Sequence, residues 1–396
     1  MKTSSFVEEL GTSPIREIAA LLQKQLDDPE LIKESGGEPS FIPPEWLLNE
    51  ACSLLKKEES HKYTATAGLP KVRESIVNYL NERKGLDVKY ENVMLQPCGA
   101  TSGIVSSLYA TVNPGDEIII FVPIYPCYPA MIENFVRAKA VRIYTQPKMD
   151  FNIEEFKKRI GNKTKATIII SPDNPTGRVL TKEQMRAIGD LSEDHHFVII
   201  HDEAYNHYDY TSDDRHPSFW ELGFRENSIG IGSASKFADD PQERLGLSYS
   251  PSNLVNEMEK INGYLYLCPS ALSQLTFKAW LDNKEKRDEY VEMVKKTYHE
   301  RMKALTSALR KNLPECKFRY PEGAFYVFAN LGAYTKGRPD KEIAKDMIQK
   351  IKVSTVNGSA FGVDPIDGYF RLTFVSEHAN RLEESTVRMA NYFGIK

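Results

Sequence analysis

Short apolar runs alternate with amphipathic segments through the middle of the chain, from about residue 92 to residue 231. The runs predict buried β-strands, because a strand that is covered on both faces has no polar positions to expose. The predicted strands are residues 92–96, 117–121, 140–144, 166–170, 197–200 and 228–231. Segments with helical periodicity lie between most of them, near 102–112, 152–160 and 181–194. Strands that alternate with helices are typical of a mostly parallel α/β sheet with helices on both faces.

Helical periodicity dominates both flanks of this region. Helices are predicted before it over residues 14–26, 45–58 and 70–84, the first with Ile15, Ile18, Leu21 and Leu22 on one face. After it, a helical region from 252 is interrupted near Pro269, and a charged helix of about thirty residues begins near 282. The remainder mixes predicted strands at 318–320, 324–328 and 369–374 with helices near 340–351 and 379–393.

These flanking segments predict a second, smaller α+β domain. A chain of 396 residues is long enough for one large domain and a smaller one. We expect the large domain to span residues 48–281. The small domain, with an N-terminal arm, would combine residues 1–47 and 282–396 from both ends of the chain.

Composition narrows the classes of function. The net charge of -4 provides no basic excess for nucleic acid or an anionic membrane surface. No apolar run reaches the roughly 18 residues of a membrane helix, and no signal peptide is predicted. The five cysteines are scattered without a Cys-x-x-Cys pair, which argues against a disulfide framework or a zinc site. We therefore expect a cytoplasmic protein without a bound metal.

The segment 231–246 carries the most distinctive chemistry of the chain. Ser233, Ser235, Lys236 and Arg244 form a polar cluster between apolar stretches. A lysine amine can form a Schiff base with an aldehyde, and hydroxyl and guanidinium groups can hold a phosphate dianion. Pyridoxal 5′-phosphate (PLP) is a cofactor that requires both.

Two other motifs match this segment less well. Gly230-Ile-Gly232 lacks the third glycine of a dinucleotide fingerprint. Ser233-Ala-Ser-Lys236 fits the Ser-x-x-Lys of serine acyl-transferases, but the companion segments Ser-Asp-Asn and Lys-Thr-Gly do not occur.

Other strand ends supply the remaining groups that PLP needs. The pyridine nitrogen requires a buried carboxylate, and Asp202 follows a predicted strand. Asn174 and Tyr205 can donate hydrogen bonds to the phenolate oxygen, and Tyr125 can cover the ring. Ligands of such sheets bind at the carboxyl ends of strands, where all these residues fall. The small-residue turn at 97–103 precedes a helix and therefore predicts an anion site.

Further motifs occur in order along the chain. They are Gly37-Glu-Pro-Ser-Phe, Tyr63 with Gly68-Leu-Pro-Lys-Val-Arg, Pro114-Gly-Asp, Pro123-Ile-Tyr-Pro, Asn174-Pro-Thr-Gly, Asp202-Glu-Ala-Tyr, Ser233-x-Ser-Lys236 with Arg244-Leu-Gly, Pro321-Glu-Gly-Ala-Phe-Tyr, Gly358-Ser-Ala-Phe-Gly and Phe370-Arg-Leu. Each is weak or moderate alone, but together they resemble the fold-type I PLP enzymes, specifically the class I/II aminotransferases of the aspartate aminotransferase superfamily. The resemblance covers nearly the whole chain, from Gly37 to Arg371.

The resemblance implies catalytic roles for three residues. Lys236 would carry the Schiff base and then shuttle the proton between Cα and the cofactor. Asp202 would pair with the pyridinium. Tyr205, with Asn174, would bind the phenolic oxygen, while Tyr125 would stack on the ring.

The resemblance also implies the remaining binding contacts. Ala100, Thr101, Ser233 and Arg244 would hold the phosphate. Tyr63 would reach the phosphate of a neighbouring subunit, which implies a homodimer with shared active sites. For the substrate, the resemblance implies that Arg371 clamps the α-carboxylate with two parallel hydrogen bonds, with Gly37 and Asn174 nearby.

The implied activity is transamination between an L-amino acid and a 2-oxo acid by a ping-pong cycle. The alternative is an enzyme of the same fold that eliminates, cyclises or oxidises an amino acid in specialised metabolism, because fold alone does not decide the reaction.

Several positions depart from the family pattern. Asp239 and Asp240 follow the lysine where relatives more often have glycine or apolar residues, and Asn357 replaces the usual proline. Between 251 and 275 no arginine is present to bind a second carboxylate, and Lys260 is only a loose candidate. We therefore do not expect aspartate as the substrate. The acidic pair, together with His201 or His207, could favour a basic or hydroxylated side chain.

Overall fold

The structure is a computed structural model that describes residues 2–23, 27–83, 85–212 and 214–395. Its strands are β1 (Ile32–Lys33), β2 (Val93–Gly99), β3 (Glu117–Val122), β4 (Lys139–Tyr144), β5 (Thr164–Ile170), β6 (Val198–Asp202), β7 (Ser228–Ser233), β8 (Gly246–Tyr249), β9 (Tyr326–Asn330), β10 (Val353–Ser354), β11 (Val356–Asn357) and β12 (Tyr369–Thr373). Its α-helices are α1 (Ser5–Leu10), α2 (Pro14–Leu22), α3 (Glu45–Leu54), α4 (Pro70–Asn81), α5 (Ala100–Thr111), α6 (Cys127–Ala130), α7 (Ile153–Arg159), α8 (Lys182–His195), α9 (Ala234–Phe237), α10 (Ser252–Leu265), α11 (Ala271–Asp282), α12 (Lys284–Asn312), α13 (Gly332–Thr335), α14 (Asp340–Ile351) and α15 (Ala379–Phe393).

A seven-stranded sheet forms the centre of the fold, in the order β2-β8-β7-β6-β5-β3-β4. All neighbouring pairs are parallel except those of β8, which runs antiparallel to both β2 and β7. The apolar runs form these strands because they are covered on both faces; Ile118, Ile119 and Ile120 in β3 are fully buried. The expected α/β class with a mostly parallel sheet is confirmed.

Local signals explain where several helices begin and end. In α8, Thr181 Oγ1 accepts from the Gln184 amide at 3.2 Å and Gln184 Oε1 accepts from the Thr181 amide at 3.0 Å, which forms a capping box. The helix ends at His196, whose φ of 57° lies in the left-handed region. Helix α12 is close to its prediction of about thirty residues from near residue 282, because it begins at Lys284 and has 29 residues. The helices predicted over 340–351 and 379–393 have these bounds in the structure.

Some predicted elements are wrong or shifted. The proposed strand 318–320 is absent, since Phe318 and Tyr320 instead lie against the Arg310 guanidinium and only Lys317 forms an isolated bridge with Asn330. Strand β8 has no counterpart among the predictions. Helix α3 ends at Leu54, earlier than predicted.

The first predicted helix is also shorter than expected. Helix α2 ends at Leu22, and the predicted residues 24–26 lie outside the described part of the chain. Ile18 and Leu22 pack into the core as the periodicity predicts, whereas Leu21 is exposed.

A second hydrophobic core lies beside the large sheet. It packs α12, α14 and α15 against the antiparallel sheet β11-β12-β9, with Tyr298, Met302 and Phe370 fully buried. Most of its residues belong to segments that we assign to the small domain, whose boundaries remain a prediction. Strand β12 carries Arg371, and the β1-β10 pair holds the adjoining segment Ser35–Glu38 in place. Among the described residues, no helix combines the length and apolar character needed to cross a membrane.

Candidate active site

A cavity of about 330 Å³ lies at the carboxyl ends of the parallel strands. All the predicted site residues except Tyr63 line it, namely Gly37, Ala100, Thr101, Tyr125, Asn174, Asp202, Tyr205, Ser233, Lys236, Arg244 and Arg371. These side chains come from segments that are more than 300 residues apart in sequence. The sheet brings them together because its strands β5, β6 and β7 end at one edge.

The Lys236 amine lies deep in this cavity, on the short helix α9 that follows β7. Its Nζ donates a hydrogen bond to the Gly37 carbonyl and lies 5.9 Å from the centre of the Tyr205 ring. Burial, together with the positive charge of Arg371, lowers the pKa of Lys236 to about 8. A sizeable fraction of this amine is therefore neutral near pH 7 to 8, as a base or nucleophile must be.

Asp202 is the buried carboxylate of the cavity. Its Oδ2 accepts a short hydrogen bond from the Tyr128 hydroxyl, and its Oδ1 accepts from the Ala204 amide at 3.0 Å. Burial raises the pKa of Asp202 in spite of these two donors. A cationic partner in the cavity would favour the ionised carboxylate, because it would offset the cost of burying the charge.

Arg371 is the buried guanidinium on the opposite side of the cavity. Its Nη1 donates to Asn174 Oδ1 at 3.1 Å and its Nη2 donates to the Ser35 carbonyl at 2.7 Å. The guanidinium lies 4.3 Å from the centre of the Tyr326 ring, while Nε has no hydrogen-bond partner. A cation that is buried without a carboxylate partner is a ready receptor for a ligand carboxylate.

Two hydroxyl groups lie between the lysine and the arginine. Tyr205 Oη and Tyr326 Oη are 2.8 Å apart and share a hydrogen bond. A β-carbon at Gly37 would lie only 2.2 Å from Tyr326 Oη, so this position admits no side chain. Burial raises the pKa of Tyr205 well above its usual value, so Tyr205 remains protonated and can donate to an oxygen in the cavity.

The other end of the cavity is built to hold an anion. Arg244 Nη1 donates to Ser235 Oγ at 3.3 Å, and Arg244 Nη2 to the Cys98 carbonyl at 3.2 Å. A β-carbon at Gly99, whose φ is 69°, would lie 3.5 Å from Ser233 Oγ. Helix α5 begins at the next residue and directs its unpaired amide groups here.

Tyr125 and Tyr63 lie in different surroundings. Tyr125 is half-buried and lines the cavity, with its ring edge-on to Tyr128 at a centroid distance of 5.3 Å. Tyr63 is 87% exposed and does not line the cavity of its own chain. Its predicted contact with a neighbouring subunit is compatible with this exposure and remains a prediction.

The acidic pair and the two histidines do not line the cavity. Asp239 accepts hydrogen bonds from Tyr208 and Tyr290, and Asp240 is buried beside it. His201 Nδ1 lies 3.1 Å from a Glu203 oxygen, and His207 hydrogen-bonds the Tyr79 hydroxyl at 2.7 Å. The structure therefore gives no support to the expectation that these four residues select the substrate side chain.

Lys260, the loose candidate for binding a second carboxylate, and Asn357, which replaces the usual proline, also have partners outside the cavity. Lys260 pairs with Glu257 on the same helix and does not line the cavity. Asn357 is buried and donates to Ser359 Oγ at 2.7 Å, which supports the glycine-rich turn before β12.

Four further residues line the cavity although no role is predicted for them from the sequence, namely Ser35, Glu38, Tyr128 and Tyr326. Tyr128 lies three residues after Tyr125, and Tyr326 ends the motif Pro321-Glu-Gly-Ala-Phe-Tyr, so spacing and motif could have drawn attention to both. Their partners, Asp202 and Tyr205, are distant in sequence and become visible only in the fold.

The donor set fits pyridoxal phosphate. One end of the cavity presents hydroxyls and a guanidinium that would hold the phosphate, and the Lys236 amine that would bind the aldehyde lines the same cavity. Asp202 would offer its carboxylate to the pyridine nitrogen, and Asn174 and Tyr205 would offer donors to the phenolic oxygen. The unpaired Nε of Arg371 marks a cation that lacks an anionic ligand.

Comparisons with known proteins agree with this donor set. The model of the family "Aminotransferase class I and II" matches residues 31–384. The chain is 32% identical to the aspartate aminotransferase of Pyrococcus abyssi, over 98% of this chain and 97% of that one. It is 29% identical to aromatic-amino-acid aminotransferase 2 of Thermococcus litoralis, with the same coverage. The structure of the Thermus thermophilus aspartate aminotransferase with maleate has a TM-score of 0.91, 26% identity and 99% coverage of both chains.

Proposed function

The chain belongs to the class I and II aminotransferases, and from this premise we propose how its residues perform the reaction. It is a PLP-dependent aminotransferase, as the sequence motifs predict. The assignment of roles rests on one observation, which is that Lys236, Asp202 and Arg371 line the same cavity. When bound, pyridoxal phosphate supplies an electron sink for the electron pair that remains at the donor Cα after its proton leaves.

In this proposal Lys236 moves the proton. With a pKa of about 8, Nζ is close to the ideal value for a base that works near neutral pH. Nζ takes the proton from the donor Cα and later returns one. The Nζ amine donates to the Gly37 carbonyl, and no carboxylate of the described residues forms a salt bridge with it, so burial can hold its pKa below the usual lysine value.

Arg371 orients the donor amino acid. Its Nη1 and Nη2 already donate to two separate acceptors, Asn174 Oδ1 and the Ser35 carbonyl. A substrate α-carboxylate that accepts both hydrogen bonds would be fixed in a single orientation, with Cα toward Lys236. The 2-oxo acid that enters after the first product leaves has the same carboxylate and uses the same clamp, which is what a ping-pong cycle requires.

We further propose that the enzyme acts as a homodimer with shared active sites. Tyr63 and Tyr264 are 87% and 94% exposed and lie on neighbouring segments, which are joined by the Thr64 hydroxyl and the Pro269 carbonyl. Leu265 and Leu267 extend this exposed apolar surface. Exposed apolar surfaces of this kind mark protein interfaces. A second copy of the chain that binds here would cover Tyr63, which is expected to reach the cofactor phosphate of that second copy.

The dimer predicts a mass of about twice 45.0 kDa in sedimentation equilibrium. Tyr264→Asp places a charge at the centre of the proposed interface, so we expect this variant to sediment near 45.0 kDa. Tyr144→Asp is the matched control, because Tyr144 is 60% exposed on strand β4 at the far edge of the sheet. A wild-type protein that sediments as a monomer contradicts the proposal.

We also propose that the donor has a neutral or cationic side chain. The cations that line the cavity are Lys236, Arg244 and Arg371, and each already has a role in the mechanism. Glu38 lines the same cavity, where its negative charge raises the pKa of Lys236. The second carboxylate of aspartate would therefore meet a like charge.

Half-reactions test both the transamination and the donor preference. Holoenzyme mixed with one L-amino acid and no acceptor should release one 2-oxo acid per site and then aminate an added 2-oxo acid. We expect leucine and lysine to react with a higher kcat/KM than aspartate. In Glu38→Gln the kcat/KM for aspartate should rise about fivefold, since removing one of two like charges in a solvated site is worth about 1 kcal/mol.

Glu45→Gln is the matched control for this change, since Glu45 is exposed on α3 and does not line the cavity. The proposed donor preference is contradicted if aspartate is the best donor and if Glu38→Gln leaves the ratio of kcat/KM for aspartate to that for leucine unchanged. Absence of any 2-oxo acid with every donor contradicts the assignment of roles.

A further inference from the structure

Asp239 lies in a cage of tyrosine hydroxyls directly behind the catalytic lysine. Its side chain is 1% exposed. Oδ1 accepts from the Tyr208 hydroxyl at 3.3 Å, and Oδ2 accepts from the Tyr290 hydroxyl at 3.1 Å. The Tyr208 hydroxyl also lies 2.9 Å from the Lys236 carbonyl oxygen, so its one proton is shared between these two acceptors and one group contacts both ends of the turn from the lysine to the aspartate.

The backbone at Asp239 supports a dedicated role. Its φ of 47° lies in the left-handed region, where most side chains are disfavoured and aspartate is among the tolerated residues. This conformation turns the carboxylate away from the substrate cavity and toward Tyr208 and Tyr290. The Tyr290 hydroxyl shares its one proton between Asp239 and the Ile42 carbonyl, which lies 2.8 Å away, so the cage connects the lysine turn to helix α12 and to the segment after Glu38.

The charge on Asp239 acts on Lys236. Burial raises the pKa of Asp239 to about 7, and its ionised form raises the pKa of the lysine amine. The other charged groups that act on Lys236 are Glu38, Arg244 and Arg371. The titratable groups that face Asp239 from its neighbouring elements are Tyr208, Tyr290, Tyr298 and Lys236.

We propose that Asp239 is a positioning residue for Lys236. Its carboxylate, held between the hydroxyls of Tyr208 and Tyr290, fixes the turn that presents the lysine and supplies a negative charge that stabilises the protonated Lys236 nitrogen. The proposal rests on the proposed role of Lys236. It also explains why an acidic residue follows the lysine without lining the substrate cavity.

A pH titration of the holoenzyme's visible absorption tests this proposal. The band reports the protonation of the Lys236 nitrogen in its covalent link to the cofactor. Asp239→Asn removes the negative charge, so the protonated nitrogen loses stabilisation and the midpoint of the titration should fall by about one pH unit. Tyr290→Phe removes one donor to the carboxylate, which then ionises only at higher pH, and we expect a smaller fall in the same direction.

Asp240→Asn is the matched control, because Asp240 is the adjacent buried carboxylate and accepts no tyrosine hydroxyl. Its midpoint should equal that of the wild type. A cofactor-loaded Asp239→Asn protein with an unchanged midpoint overturns the proposal, as does the same shift in Asp240→Asn. If Asp239→Asn does not load the cofactor, an unchanged midpoint in Tyr290→Phe overturns it instead. Failure of the Lys236 assignment is distinguished by Lys236→Ala, which would then retain the wild-type band.

Discussion

Replacing Lys236 with alanine is expected to abolish the wild-type visible band and to lower the rate of transamination by at least about 10³-fold. Two functions are lost together. The variant has no amine to bind the cofactor covalently, and no group of the right pKa replaces Nζ as the base at Cα. Pre-steady-state mixing with a donor amino acid measures the loss directly, because it observes the half-reaction before product release.

Lys260→Ala controls for loss of a positive charge. Lys260 pairs with Glu257 on an exposed helix face and does not line the cavity, so its removal should leave both the band and the rate unchanged. Wild-type absorbance and rate in Lys236→Ala would contradict the assignment of the lysine and, with it, the proposed arrangement of the whole cavity.

The location of this lysine is predictable from sequence because apolar runs define the parallel strands. Once the strands that end near Asp202 and Ser233 are identified, their carboxyl ends must meet at one edge of the sheet. The polar residues that follow them therefore converge, whatever the details of the helices. The antiparallel strand β8 escapes prediction because Gly246–Tyr249 contains a glycine and a serine and therefore forms no continuous apolar run.

Contacts between distant residues limit what sequence can predict about the site. The sequence places Asp239 three residues from Lys236, which suggested that it faces the substrate. In the structure the Asp239 carboxylate instead contacts the hydroxyls of Tyr208 and Tyr290, and its residue has a positive φ that the sequence does not reveal. Tyr128 is similarly invisible as a partner of Asp202, because 74 residues separate them in the chain and only the sheet brings them together.

The second large effect is expected for Asp202→Asn. The amide is nearly isosteric, but it carries no charge to stabilise a protonated ring nitrogen. We expect kcat to fall by about 10²-fold to 10³-fold, the usual cost of removing one strong electrostatic contact from an active site. Asp209→Asn is the matched control, because Asp209 is a buried carboxylate of the following loop that does not line the cavity.

The pH dependence of the wild type follows from the same burial. Because the pKa of Asp202 is raised above its usual value, the carboxylate loses its charge at a higher pH than an exposed aspartate does. In the cofactor-free protein the affinity for added pyridoxal phosphate should therefore decline on the acid side as Asp202 becomes protonated, and this decline should be absent in Asp202→Asn. Titration of the cofactor into both proteins at a series of pH values makes the comparison.

Stability should change in the opposite direction to activity. A carboxylate whose pKa is raised by burial is less stable in the folded chain than in the unfolded chain when it is ionised. Removing the charge relieves that cost, so the cofactor-free Asp202→Asn protein should unfold at a higher temperature than the cofactor-free wild type at pH 8. Lower stability together with lower activity would indicate that Asp202 mainly supports the fold through Tyr128 and Ala204. Higher stability with lower activity is the result expected of a charge that is kept at a cost to folding because the reaction requires it.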